Sequence, residues 1–276
     1  MISYVIKFII KIFINMNCPI CNLTKFVTFL DDYKLEIKED AEYFKFAKIY
    51  KCKECDFGFV YPMPSEEKLN FFYEKVYRSN GRPPYLVTEN YEDQKKHYLE
   101  DKNLSYLLYI SSLINLKNIK KLYDFGCGDG DLGYALKKKF PQIQLYCTEN
   151  DSHCKKILEE RNFKNLIDLN GINETFDLII TTHSLEHLSD PNYIFSKFNK
   201  FLNKNGFIFF EVPNCPNEYW AGRPYDGPHL LFYTKKSFEV LAKKYGFEFI
   251  NFSYSAYSFS DDHKYQKESQ EQYYKS

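Results

Sequence analysis

From Lys120 onward, short apolar runs of β character alternate with amphipathic helical stretches, and this alternation constrains the fold more than any other feature. The extended runs are 121–125, 143–147, 176–180 and 207–212, and helical spacing falls near 130–139, 151–161, 190–202 and 235–245. Strands joined through helices pair in parallel, with helices covering both faces of the sheet. The pattern predicts a doubly wound, mostly parallel α/β domain over residues 119–260. One more apolar run after Gly246, over Phe247–Tyr257, predicts a last strand.

The first of these strands runs into a glycine-rich turn. Residues Leu122 to Gly130 read Leu-Tyr-Asp-Phe-Gly-Cys-Gly-Asp-Gly, and a helix follows. Glycines let the backbone turn tightly and let a ligand approach without a Cβ in the way. Asp124 sits at the strand end, just before the glycines. A carboxylate there repels phosphate and suits a cationic, amine-bearing ligand. The second strand ends in Thr148-Glu149, 23 residues past Gly126. A carboxylate at that place takes both hydroxyls of a ribose. The chain has no Gly-Lys-Ser/Thr after the turn, which excludes a P-loop.

A different chemistry occupies the N-terminal quarter. Cys18, Cys21, Cys52 and Cys55 form two C-x2-C pairs separated by 30 residues. A two-residue gap lets both thiolates of a turn face one ion, and two such turns complete a tetrahedron. The expected ion is a structural Zn²⁺, with no position left open for water. Residues 16–64 are therefore expected to form a small zinc-ribbon-like module, with β-like runs at Lys25–Leu30 and Tyr43–Tyr50. A helix capped by Ser65 is expected over Ser65–Tyr77, a Pro/Gly-rich linker near 79–88, and another helix over Asp93–Ile114. Together these make residues 65–118 a helical linker region. Cys127, Cys147, Cys154 and Cys215 are expected to be bystander thiols, and the whole set fits a reducing, cytoplasmic compartment.

The order of these motifs resembles the class I S-adenosylmethionine-dependent methyltransferases. The turn at 124–130 resembles their first motif, and Glu149 their ribose-binding acid. Residues 176–191 resemble the fourth-strand segment, 202–214 the fifth, and 228–247 a stretch found in one bacterial subgroup. That subgroup often carries a cysteine-knuckle module ahead of a Rossmann-like domain, and residues 16–64 resemble one. The resemblance implies S-adenosyl-L-methionine as cofactor. Gly126, Gly128, Gly130 and Asp124 would line its methionine part, Glu149 would hold the ribose, and Asn150 would flank the adenine. Asp168–Asn170 would close over the adenine, although this segment departs from the family pattern. Thr182 and His183 would lie where the methyl group emerges.

The candidate catalytic residues are His229, His187 and His183, because imidazole is matched to proton transfer near neutral pH. Tyr225 and Tyr233 are candidate donors, and Tyr219 and Trp220 candidate acceptor-pocket residues. His97, His153 and His263 are expected on the surface. The implied reaction is methylation of a small molecule or glycan-linked group, on oxygen, in surface-polysaccharide modification. The alternatives are a sugar C-/N- or quinone-type methyltransferase, a nicotinamide dehydrogenase, or a non-catalytic protein that binds through its zinc module.

Composition narrows the partners. Lys plus Arg and Asp plus Glu both number 37, so there is no basic excess for nucleic acid. With 44% apolar and 27% charged residues the chain is globular rather than disordered. No 18-residue run is free of charge, so no transmembrane segment is expected. Residues 1–15 are apolar except for Lys7 and Lys11, which share one helical face. Three readings stand for them: a membrane-surface helix, a helix packed on the body or a partner, or an extension ahead of a true start at Met16. Residues 261–276 read as a polar tail.

Overall fold

The computed structural model describes residues 16–77, 102–215 and 228–253. At the N-terminus, strands β1 (Val27–Asp32), β2 (Lys48–Cys52) and β3 (Gly58–Tyr61) pair antiparallel. Helix α1 (Lys38–Tyr43) joins β1 to β2. The β-run expected over Tyr43–Tyr50 is thus corrected: a helix ends at Tyr43 and the strand starts only at Lys48. Glu39 and Asp40 occupy the helix's first turn, where carboxylates complement its positive end. Helix α2 (Glu66–Phe71) starts at Ser65 as expected. The Ser65 hydroxyl accepts from the Lys68 N–H at 3.3 Å. Helix α3 follows over 102–113, and residues 93–101 of that expected helix lie outside the described residues, as does the linker at 79–88.

Five parallel strands make the second sheet: β4 (Lys121–Phe125), β5 (Gln144–Thr148), β6 (Phe163–Asn165), β7 (Phe176–Thr182) and β8 (Leu202–Glu211), in the order β6-β5-β4-β7-β8. Helices α4 (Asp131–Lys139), α5 (Lys155–Glu160) and α6 (Pro191–Phe201) form the crossovers. This is the Rossmann-like α/β architecture that the alternation predicts. The order reverses at β4, and the glycine turn leaves the carboxyl end of that strand, where open α/β sheets bind ligands.

Side chains alternate across the sheet with period two. Leu122, Leu145, Leu178 and Ile180 pack into one core, and Tyr123, Phe125, Tyr146 and Ile179 into the other. The second core is aromatic: Tyr123 stacks on Phe176 with ring centroids 4.8 Å apart, and Phe125 meets Phe198 edge-on. It continues without a break into the cysteine module, where Phe44, Phe57, Phe59 and Phe72 belong to the same cluster.

A short strand, β9 (Leu231–Phe232), leads to the last helix, α7 (Lys235–Lys244), and joins the N-terminal sheet rather than the parallel one. It pairs antiparallel with β3, and the Val60 N–H donates to the Leu230 carbonyl at 2.9 Å. Asn192 at the start of α6 donates to the Pro19 carbonyl inside the first cysteine turn.

The strand expected after Gly246 is not found: residues 247–253 carry no ladder. Phe247 and Phe249 instead pack their rings against the core beside α7. Residues 254–257 of that expected strand lie outside the described residues. Among the described residues, the outer edge of β8 has no partner strand, and a groove of ≈ 1000 Å³ runs along it. Residues 1–15 and 261–276 also lie outside the described residues.

Candidate active site and cysteine cluster

The four N-terminal cysteines meet. The sulfurs of Cys18 and Cys55 are 3.4 Å apart and those of Cys21 and Cys52 are 3.6 Å apart. All four ligand atoms lie within 4.8 Å of one another. None is in a disulfide, and Cys18, Cys52 and Cys55 are buried. Four thiolates at Zn–S distances of about 2.3 Å have sulfurs about 3.8 Å apart, close to the spacing here. Each cysteine turn is completed by a residue with positive φ, Asn22 after Cys21 and Asp56 after Cys55, both at 59°. Such a residue turns the chain back so that its N–H groups face the sulfurs. The Cys55 thiol beside Cys18 draws the Cys18 pKa down to about 6, while burial holds Cys21 up at about 11. The donor set and its spacing fit a closed thiolate metal centre.

The glycine turn has left-handed backbone at Gly126 (φ 64°), Gly128 (φ 58°) and Gly130 (φ 77°). Their surroundings differ. A Cβ on Gly126 would stand 2.3 Å from the Ser184 hydroxyl, and one on Gly130 would stand 2.6 Å from the Phe163 ring. A Cβ on Gly128 would meet nothing within 4 Å. Two glycines therefore seat the turn against β6 and the segment after β7, and the middle one faces open space.

Glu149 holds that turn. Its carboxylate accepts from the Gly128 N–H at 2.7 Å and from the Asp151 N–H at 2.8 Å. Its own backbone is fixed by a reciprocal pair with the Asn165 side chain, at 3.1 and 2.9 Å. A carboxylate has about four acceptor positions, so two remain for a ligand. Asn150 is exposed beside it. Asp124 is buried, and burial, reinforced by the nearby Glu149 and Asp129 charges, raises its pKa well above the usual carboxylate range. Arg161 offsets these carboxylates, pairing with Asp131 at 2.6 Å and donating to the Asp129 carbonyl at 2.7 Å. Asp168 caps its own turn by accepting from the Asn170 N–H, and the Asn170 side chain accepts from Lys197 on α6.

The segment after β7 carries the histidines. Thr182 ends that strand opposite Glu211 of β8. His183 has positive φ (52°), and its ring lies 3.1 Å from Glu211 and 3.6 Å from Glu186. Burial opposes its protonation, but the Glu186 and Glu211 carboxylates outweigh that and raise its pKa to about 9. Tyr106 of α3 donates to Glu211 at 2.5 Å. His187 lies one 3-10 turn further on, with its Nδ1 3.1 Å from the Tyr73 hydroxyl. The His187 and His229 rings approach edge-on at 5.0 Å. The Leu230 N–H donates to the Glu186 carbonyl at 2.7 Å, which fixes the 228–230 segment over this turn. Asp124, the three glycines, Glu149, Asn150, Thr182, His183 and His187 thus lie at or just past the carboxyl ends of β4, β5 and β7, and His229 joins them from the segment before β9.

Tyr233 is different. It is 1% exposed and stacks on Phe238, and its hydroxyl donates to the Leu185 carbonyl, so packing accounts for it. Tyr219, Trp220, Tyr225, His97 and His263 lie outside the described residues. His153 is exposed beside Asp151. Sequence reasoning passed over Ser184, Asn165, Glu186, Glu211 and Tyr73. Glu186 had a signal, since it stands beside His187 in a segment already singled out.

Residues 95–251 match the methyltransferase domain family. A Mycoplasma genitalium protein described as uncharacterized is 30% identical over 141 residues, covering 49% of this chain and 29% of that protein. The ubiquinone biosynthesis O-methyltransferase of Pasteurella multocida is 29% identical over 133 residues, covering 42% of this chain and 55% of that enzyme. The chain therefore spans less than two thirds of either relative. A solved SAM-dependent methyltransferase from Thermotoga maritima aligns with a TM-score of 0.45 at 17% identity, over 60% of this chain and 81% of that one. The family match covers more than half of the chain and begins ahead of the parallel sheet, taking in the glycine turn, Glu149 and the histidine segment: the chain belongs to the methyltransferase domain family.

Proposed function

We propose that this protein transfers a methyl group from S-adenosyl-L-methionine to an oxygen of a small-molecule or glycan-linked acceptor, and that its cysteine cluster holds a structural Zn²⁺. The observation that carries the reading is the Glu149 carboxylate, which accepts from the Gly128 N–H and the Asp151 N–H and so has about two further acceptor positions, beside a glycine that borders open space. Those positions suit the two hydroxyls of a ribose. Asp124, Asp129 and Glu149 make the adjoining pocket acidic, which favours an ammonium and a sulfonium and disfavours a pyrophosphate.

When bound, the cofactor would supply an electrophilic methyl group on its sulfonium sulfur, with the neutral thioether as leaving group. The chain's own work is alignment. Gly126 and Gly130 fix the turn, Asp124 and Glu149 fix the cofactor's two ends, and Thr182 and His183 border the reacting side. With a pKa of about 9, His183 is a cation at neutral pH, so it orients charge there rather than taking a proton. Taking the acceptor's proton falls to His187 or His229, whose rings face each other.

Surface-polysaccharide modification and cytoplasmic location are the context we favour, supported by the resemblance of the 228–247 stretch and by eight reduced cysteines. A quinone-type acceptor is the second reading, supported by the likeness to the Pasteurella multocida enzyme. Among the described residues no helix is long and apolar enough to cross a membrane. The test is transfer of isotope-labelled methyl from the cofactor to panels of sugars, glycan-linked groups and catechol-like quinone precursors. Label on a sugar oxygen supports the first reading, label on a phenol oxygen the second, and no transfer to any panel contradicts both.

A further inference from the structure

Glu186, His187 and His229 converge outside the expected cofactor pocket and outside the cysteine cluster. One ligand atom from each lies within 4.8 Å of the other two. Glu186 is 2% exposed, and neither of its carboxylate oxygens has a hydrogen-bond partner among the described residues. Its approach to His183, at 3.6 Å, is too long for one. His183 compensates part of the Glu186 charge from 3.6 Å, and the His187 and His229 rings help to hold the carboxylate ionised, but its oxygens still lack the close donors or cation that a carboxylate buried this deeply calls for.

The histidine opposite is already oriented. Nδ1 of His187 lies 3.1 Å from the Tyr73 hydroxyl, which in turn lies 3.5 Å from the Pro228 carbonyl. A relay in which Nδ1–H donates to Tyr73, and Tyr73 donates to Pro228, leaves the Nε2 lone pair of His187 pointing away from it. Metal-bound histidines are held in this way, with the second ring nitrogen tied to an oxygen. His229 is brought to the cluster by the bond from the Leu230 N–H to the Glu186 carbonyl. The backbone thus fixes two of the three donors against each other.

We infer that Glu186, His187 and His229 form a second metal site, which takes a divalent transition-metal cation of the Zn²⁺ or Co²⁺ type. Two imidazoles and one carboxylate are a donor set for such ions and leave coordination positions open. Metal–ligand distances of about 2.0 Å place tetrahedral donors about 3.3 Å apart, within reach of small side-chain rotations from the present spacing. An acceptor hydroxyl at an open position would ionise more readily. With the cation bound, His187 and His229 act as ligands in place of the proton-accepting role they have without it, and the acceptor's proton leaves to solvent. This catalytic use rests on the methyl-transfer reading; binding of the cation does not.

The test is a titration of Co²⁺ into the full chain carrying one equivalent of zinc. Cobalt that reached the cysteines would give an intense sulfur-to-metal charge-transfer band, whereas cobalt at nitrogen and oxygen donors gives only weak visible bands. The inference expects a saturable single equivalent with weak bands alone. Glu186→Gln and His229→Ala should each weaken it by more than the roughly 10–100-fold that loss of an outer-shell partner brings. No cobalt bound beyond the zinc equivalent at millimolar concentration overturns it, as does binding unchanged in both variants. S-adenosylhomocysteine binding, measured on the same sample, separates the two ideas. Cobalt without it contradicts methyl transfer alone, and it without cobalt contradicts the metal site alone.

Discussion

The cysteine cluster and the glycine turn are built on opposite plans. In the cluster each donor faces another donor, with sulfurs 3.4 and 3.6 Å apart and the polypeptide closed around them. In the turn the donors face outward: Gly128 borders open space, and Glu149 leaves half of its acceptor positions unused by the protein. A closed donor set stabilises a fold, and an open one receives something. Yet the two regions are not separate bodies. Strand β9, just past His229, completes the cysteine module's sheet, and one apolar cluster runs through both. The module therefore braces the segment that carries His229.

The largest effect that would sharpen this contrast is at the cluster. Four ligands share roughly 10–16 kcal/mol of metal-coupled folding energy, so Cys52→Ser should cost about 2.5–4 kcal/mol. It should release the metal and lower the melting temperature, by calorimetry and elemental analysis. A wild type that carries no metal breaks the contrast at once. Next is Gly126→Ala. The added methyl would meet Ser184 at 2.3 Å, on backbone with φ 64°, and left-handed backbone alone costs an alanine about 1–2 kcal/mol. Both fold stability and cofactor affinity should fall. Gly128→Ala has the same backbone cost but no clash, so it should spare stability more than affinity. If the two variants behave alike, the outward-facing role of Gly128 is lost.

Glu149→Ala comes next, with cofactor affinity weaker by about 1–3 kcal/mol, the range for leaving polar partners unpaired. Unchanged affinity removes Glu149 from the site. Asp124 adds a pH signature. Burial raises its pKa in the free protein, and a bound cation favours its ionised form. Binding should therefore release a proton, and affinity should fall as pH falls; calorimetry in buffers of different ionisation enthalpy measures both.

The smallest effect is at His183. Its folded pKa of about 9 stands above the ordinary histidine value of 6.5. Its contribution to stability is then fully present below pH 6.5 and lost as pH rises through about 9. The ring is 46% exposed, so solvent screening keeps the contribution under about 1 kcal/mol. Melts of wild type and His183→Gln should converge above that pH; a constant gap assigns His183 to packing.

Much of the site was legible because its residues sit at strand ends, where the pattern itself marks the place. Asp124 and Glu149 are such residues, and the paired cysteines declare themselves by spacing. What escaped depends on contacts between distant segments. Strand β6 has three residues and one buried apolar side chain, Phe163, so no period shows. Strand β9 has two, and its sheet is chosen by Gly58 and Phe59, far away in sequence. The run after Gly246 looks like a strand because apolar and aromatic residues dominate it, but the Phe247 and Phe249 rings are used to fill the space beside Phe195 and α7. Glu186 was passed over although it stands beside His187, because its burial without a hydrogen bond, which makes it stand out, depends on segments distant in sequence.

On the proposed reading, the turn after β4 and Glu149 hold an S-adenosyl cofactor. Isothermal titration of the full chain with S-adenosylhomocysteine, and in parallel with NAD, tests it most directly. Saturable one-to-one binding of the first in the micromolar range, and none of the second, is the predicted result. No binding of S-adenosylhomocysteine at millimolar concentration, or binding of NAD in its place, would contradict it.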